Sequence, residues 1–172
     1  MDNMAWLNDC AMAVTSTGKA FVWTTPVGSK ITQGYVETTG RRVMSSLGNL
    51  NIKDVIKNED GSSVYNVEKS GSSASPNVIH SYDAAHLVMW TNVMNVRGLD
   101  GMVTIHDSFG TYAADTTVSM AVLRETMVEM YSVNPHERMA NDVEAITGER
   151  PTVPVTGSFD INEILTSPYV FY

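Results

Sequence analysis

The residues best placed to do chemistry are His106-Asp107-Ser108-Phe109-Gly110. They follow Met102-Val103-Thr104-Ile105, an apolar run that reads as a buried strand. A strand that ends in a carboxylate and turns at a glycine, here Gly110, can hold a metal at the edge of a sheet. The strand fixes the carboxylate, and the turn leaves it open to solvent and substrate. Asp107 is thus the candidate metal ligand. His106, pointing opposite to it by strand alternation, is a supporting residue, as are Ser108 and Gly110. Ser108 has no base-and-orienter arrangement that would make it a nucleophile, and the chain has no Gly-x-x-x-x-Gly-Lys loop.

Several elements are needed to position that turn. Trp6, Leu7, Cys10, Ala11 and Val14 have helical spacing, ended by Thr15-Ser16-Thr17-Gly18. Ala20 to Thr24 predicts a strand, Pro26-Val27-Gly28 a turn, and Ile31 to Val36 the second strand of a hairpin. Arg41 to Leu47 is a further strand candidate. The polar stretch 57–76 reads as a loop, and Pro76 as the opening of a long helix through Met94. Asp60-Gly61-Ser62-Ser63 lies in that stretch without a buried strand before it, which disqualifies it as a catalytic carboxylate. Helices are expected over Thr116 to Tyr131 and Pro135 to Ile146, then an extended linker at Pro151-Thr152-Val153-Pro154 and a short helix from Ile161 to Leu165 capped by Asp160. Cys10 is expected on a helix core face and His136 at the surface.

These segments, taken together, resemble the C-terminal part of single-subunit, phage-type DNA-directed RNA polymerases. His106-Asp107-Ser108-Phe109-Gly110-Thr111 is similar to their palm motif C, and Ala114-Asp115 with Leu123 to Tyr131 to the helix after it. Asn77-Val78-Ile79-His80-Ser81-Tyr82-Asp83-Ala84-Ala85-His86-Leu87 resembles a His-Ser-x-Asp-x-x-His helix. Val22 to Gly28 resembles a Trp-x-Thr-Pro-x-Gly segment, and Phe159 to Leu165 through Phe171-Tyr172 the aromatic C-terminus. The matches occur in the family's order. Ser108, where the related DNA polymerase I family has Glu, favours an RNA polymerase.

The resemblance implies an α+β fold: an antiparallel palm hairpin packed by long helices, with an aromatic C-terminal segment. It divides the chain into an N-terminal helix and hairpin (1–56), the polar loop (57–76), a palm core with motif C (77–150) and an extension docking near the active site (151–172). It implies nucleotidyl transfer with two Mg²⁺ ions about 4 Å apart, activating the attacking hydroxyl and stabilising the leaving oxygen. Asp107 would be one metal ligand. The second carboxylate and the fingers groups have no counterpart in this sequence, so a larger polymerase chain would complete the site. DNA template, nascent RNA and ribonucleoside triphosphates are the implied partners. His80 would contact the nascent pair, with Asp83 and His86 supporting it at helical spacing, and Phe171 and Tyr172 would brace the active site. The chain, opening on Met1, reads as a subunit of a split enzyme or as a fragment. The alternatives are a non-catalytic assembly subunit of a polymerase and a fragment of a DNA polymerase I-like enzyme.

Composition sets the remaining bounds. Of the 172 residues, 43% are hydrophobic, enough for a sizeable core. No apolar run reaches the roughly 18 residues of a membrane span, and the start lacks the pattern of a signal peptide. One cysteine excludes an internal disulfide, and a cytoplasmic setting (the host cytoplasm for a phage protein) is expected. Residues 1–97 carry 8 basic and 8 acidic side chains, while residues 98–172 carry 3 and 11. The whole net charge of -8 therefore falls on the half that contains Asp107. That half lacks the basic stripe of a surface that grips phosphates alone.

Overall fold

The computed structural model describes residues 2–105 and 107–169. Among the described residues the fold is α+β: three two-stranded antiparallel hairpins distributed among five α-helices. Helix α1 (Asn3–Ser16) starts where the Asp2 carboxylate accepts from the Met4 amide at 3.1 Å. It buries Trp6, Leu7, Cys10, Ala11 and Val14, the face expected from spacing. Burial, followed by the Asp9 charge, pushes the Cys10 thiol up to about 12, so it packs as an inert apolar group. Strands β1 (Phe21–Thr24) and β2 (Lys30–Gln33) form the first hairpin, which seats Phe21 and Trp23 in the core.

Helix α2 (Val67–Val96) is the spine of the molecule. At 30 residues it is about 45 Å long. It starts well before Pro76, which corrects the expected loop over 57–76 and the expected opening at Pro76. Asn66 caps it by accepting from the Lys69 amide at 2.7 Å. The Ser- and Gly-rich residues that read as a loop are a packing stripe: Ser70, Gly71, Ala74 and Ser75 are buried. A Cβ on Gly71 would lie 2.6 Å from Met12 Cγ, so a larger residue here would have to push the Met12 side chain aside. Pro76 is tolerated because it lies on the exposed face with Ser72 and His80, where water can satisfy a freed carbonyl.

Strands β3 (Thr38–Ser45) and β4 (Gly48–Val55) form an eight-pair ribbon turning at Ser46-Leu47. Only its first strand was legible, and all of β4 is exposed. Strands β5 (Met102–Ile105) and β6 (Ser108–Thr111) form the third hairpin. Helices α3 (Thr116–Tyr131) and α4 (Pro135–Thr147) match their expected spans closely, and α5 (Glu163–Thr166) is one short turn. Asp160 precedes α5, its carboxylate accepting from the Asn162 amide at 3.0 Å.

Among the described residues, two apolar clusters hold these elements. The larger joins α1, β1, α2 and α4 through residues such as Trp6, Val14, Trp23, Tyr82 and Met139. The smaller joins Trp90 and Met94 of α2 to Val122 and Leu123 of α3, with Met102 and Phe109 of the third hairpin packed against it. His136 is half-buried rather than at the surface, its ring edge-on to Trp6 at 5.2 Å. Among the described residues, no helix is long and apolar enough to cross a membrane.

Candidate functional site

The register of the third hairpin pairs Ile105 with Ser108, so Asp107 lies in the turn between β5 and β6. The chain does not turn at Gly110, as expected, but at the carboxylate itself. That places Asp107 at the tip of the hairpin, where it is exposed. Gly110 lies within β6 opposite Val103, where an added Cβ would come within 2.7 Å of Val103 Cγ1. Ser108 opens β6 and is exposed. His106 lies outside the described residues.

Strand β5 is not buried. Val103 and Ile105 are 60% and 65% exposed, because alternation directs them away from the helices. The opposite face carries Met102 and Phe109 onto α2. Phe109 lies 5.1 Å from Trp90 at 74° and 5.8 Å from His86 at 61°, both edge-to-face contacts. At the open end of the hairpin, the Tyr112 ring covers Gly101 so closely that a Cβ there would overlap it at 1.9 Å. Aromatic packing on α2 therefore fixes the base of the hairpin and leaves its tip free.

His86 is 5% exposed and ties three elements together. Its Nε2 lies 3.1 Å from the Leu123 carbonyl and 3.0 Å from Thr126 Oγ1. A carbonyl only accepts, and Thr126 spends its own proton on the Val122 carbonyl at 2.8 Å. Nε2 must therefore carry hydrogen and donate. Burial holds the imidazole pKa below its ordinary value, against the opposing pull of the Leu123 bond and the Asp83 charge. His86 thus clamps α2 to α3 beneath Phe109, whereas Asp83 and His80 are exposed. The structure separates the trio that helical spacing suggested. Tertiary packing decided which face of α2 is covered.

His80 lies six residues before His86, about 9 Å along the helix axis. It lines a cavity of about 310 Å³ with Trp23, Gln33, Tyr35 and Asn77. Trp23 Nε1 donates to Ser81 Oγ at 2.9 Å, and Ser81 donates to the Val78 carbonyl at 2.7 Å. One hydrogen bond therefore joins the Trp-Thr-Thr-Pro segment to the His-Ser-Tyr-Asp segment. Thr24 anchors the other side of β1, its amide donating to Asp142 Oδ2 at 2.7 Å. The Gln33–Tyr35–Asn77 group was not anticipated, because no local spacing links residues brought together from β2, the following loop and α2.

The chain's last described residues turn back to α3. Arg124 Nε donates to the Ser167 carbonyl at 3.1 Å, and its Nη1 to the Met120 carbonyl at 3.0 Å. Phe171 and Tyr172 lie outside the described residues.

A carboxylate oxygen is the right donor for Mg²⁺, but Asp107 does not make a site alone. Among the described residues, no group of three or more His, Cys, Asp and Glu side chains is arranged to hold a metal.

The third hairpin therefore carries an exposed aspartate in its turn and packs at its base against α2 and α3. The family model for DNA-dependent RNA polymerase matches residues 1–150, and the chain belongs to that family. It is 35% identical over 172 residues to the chloroplastic DNA-directed RNA polymerase 3 of Nicotiana sylvestris, a match covering 98% of this chain and 17% of the relative. It is 29% identical over 170 residues to the mitochondrial DNA-directed RNA polymerase 1 of the same plant, covering 98% and 16%. DNA-directed RNA polymerase 2A of Nicotiana tabacum is 30% identical over 170 residues, covering 98% and 49%. The chain therefore spans about a sixth of the first of these relatives.

Proposed function

We propose that this chain is the C-terminal palm portion of a DNA-directed RNA polymerase and contributes Asp107 to a two-metal nucleotidyl-transfer site. The carrying observation is the third hairpin: an exposed aspartate at its tip, one face anchored on α2, the other baring Val103 and Ile105. A two-stranded sheet with an exposed apolar face is marginal alone. Both features suit a palm sheet that another strand, carrying the second carboxylate, extends and covers. That strand would come from a larger polymerase chain, as a separate subunit or as the preceding part of one polypeptide.

Mg²⁺ bound there would supply an activated hydroxyl and a stabilised leaving oxygen during attack on the triphosphate. This chain's own part is to hold Asp107 still. Phe109, Trp90 and His86 fix the hairpin base, and the His86 clamp transmits the position of α3 to it. His80, exposed two turns along α2 from that clamp, is suited to contact the nascent pair, with Asp83 beside it. The Arg124 bond holds Ser167 against α3, and Phe171 and Tyr172, a few residues further along the chain, are the residues this reading assigns to bracing the active site.

The β3–β4 ribbon extends the reading to nucleic acid. Its eight residues per strand span about 26 Å. Arg42 and Lys53 share one face with Asn49 and Asn51, Arg41 lies on the other, and Leu47 at the tip is 99% exposed. A projecting basic ribbon is one of the shapes that enters a DNA major groove. DNA template, RNA and ribonucleoside triphosphates are the substrates this reading assigns. For compartment, the cytoplasmic expectation stays a proposal beside relatives named for chloroplasts and mitochondria. Co-expression with the upstream part of the polymerase, followed by size-exclusion chromatography and a transcription assay, tests the reading. Co-elution with RNA synthesis supports it. Full activity of the upstream part alone overturns it.

A further inference from the structure

An apolar pocket opens at the start of α1, and none of its lining belongs to the third hairpin. Its walls are Leu7 of α1, Val78, Ile79 and Tyr82 of α2, Tyr131 of α3 and Met139 of α4. The volume is about 180 Å³, below the roughly 300 Å³ at which small-molecule sites begin. No charged side chain lines it, so a phosphate would find no partner there. A pocket of this size and chemistry suits a single apolar anchor from another stretch of polypeptide.

Two features of the lining favour an occupant. The rim is apolar and open, with Ile79 52% exposed and Tyr131 37% exposed on different helices. His136 also lines the pocket, and its Nδ1 is buried without a hydrogen-bond partner among the described residues. Burial holds that imidazole pKa below its ordinary value, so the ring is neutral near pH 7. A buried ring nitrogen left unpaired costs free energy that a polar atom on the occupant would recover. The place of the pocket points to where the occupant comes from. Asn3, in the first turn of α1, forms one wall. The family match begins at residue 1, while the chain spans about a sixth of the chloroplastic relative. In a whole polymerase, polypeptide joined ahead of residue 1 would arrive at that wall, as would the end of an upstream subunit divided from this one there.

We propose that this pocket docks an aliphatic or aromatic side chain of the upstream part of the polymerase, from the segment that leads into α1. This rests on the polymerase reading above and adds to it an assembly anchor separate from the third hairpin. The anchor would tie the upstream polypeptide to the junction of α1, α2 and the α3–α4 connection, whose packing this chain otherwise leaves open to solvent at Ile79 and Tyr131.

The test uses this chain assembled with the upstream part of the polymerase. A photo-crosslinking phenylalanine analogue replaces Ile79 at the rim, and the irradiated complex is mapped by peptide mass spectrometry. The expected result is a crosslink to the upstream polypeptide in the segment ahead of α1. A crosslink only to a second copy of this chain, or none in a complex that has assembled, overturns the assignment. Ile79→Arg provides the second arm by placing a charge on the rim. Ile79 is already half exposed, so the thermal midpoint of the chain alone should hardly change. Its affinity for the upstream part should fall about ten- to hundredfold, the worth of one buried apolar side chain. Unchanged affinity also overturns the assignment. Failure of the polymerase reading registers separately, as a wild-type chain that forms no complex with the upstream part, and that result removes the anchor with it.

Discussion

Replacing His86 by alanine should cost stability in a pH-dependent way that identifies its clamp. The substitution removes a buried donor to the Leu123 carbonyl and Thr126 Oγ1 and the ring edge packed on Phe109. Both acceptors sit within α3 and already have other partners, so the orphaning penalty is small. The packing and one shared hydrogen bond together set the loss at about 2–3 kcal/mol near pH 7.5. Acid should erode the wild-type advantage. The folded imidazole has a depressed pKa, so below about pH 6.5 the unfolded chain binds a proton that the folded chain resists. Stability from this group is complete above the unfolded value and is lost as pH falls from there towards the folded value. The slope cannot exceed about 1.4 kcal/mol per pH unit for one histidine. His136 shifts in the same direction, so a His136→Gln background isolates the His86 contribution. Denaturant melts at pH 7.5 and 5.5 provide the assay. The variant should lie well below its parent at pH 7.5 and approach it at pH 5.5. A gap that is unchanged or wider at pH 5.5 would refute the neutral, Nε2-donating clamp.

Two further substitutions probe different links. Gly101→Ala places a methyl within 1.9 Å of the Tyr112 ring and should destabilise the hairpin by about 1–3 kcal/mol in thermal melts, with Tyr112→Ala restoring most of the loss; failure of that rescue would mean the strain arises elsewhere. Neutralising Arg41, Arg42 and Lys53 together should weaken DNA binding by the assembled polymerase and reduce the slope of log K against log salt by about 2–3, whereas an unchanged slope would remove the ribbon from the nucleic-acid contact.

The elements that the sequence made legible are those whose burial follows their own periodicity. Helix α1 shows its core face in Trp6, Cys10 and Val14, and α3 and α4 likewise bury one stripe each. The first nine residues of α2 were hidden because their small polar side chains are what close approach to α1 requires, with Gly71 against Met12. The β4 strand was hidden because it packs on no core, leaving no alternation of burial to read. At the third hairpin, the strand before the aspartate was legible. The turn position was not: the pairing of Ile105 with Ser108 moves it from Gly110 to Asp107. The spacing of Asp83 and His86 likewise could not say that α3 would cover only the histidine.

The central claim is that Asp107 holds metal in a site completed by upstream polypeptide. Asp107→Asn keeps the shape of the side chain and removes its charge. The decisive measurement compares wild type and this variant, each assembled with the upstream part of the polymerase, in single-turnover RNA extension at saturating Mg²⁺. Assembly should be unchanged by size-exclusion chromatography, because the side chain is exposed at a hairpin tip. Extension should fall roughly a thousandfold or more, the cost of several kcal/mol of transition-state stabilisation. Near-normal extension by a fully assembled Asp107→Asn enzyme would contradict the account and assign the chemistry elsewhere.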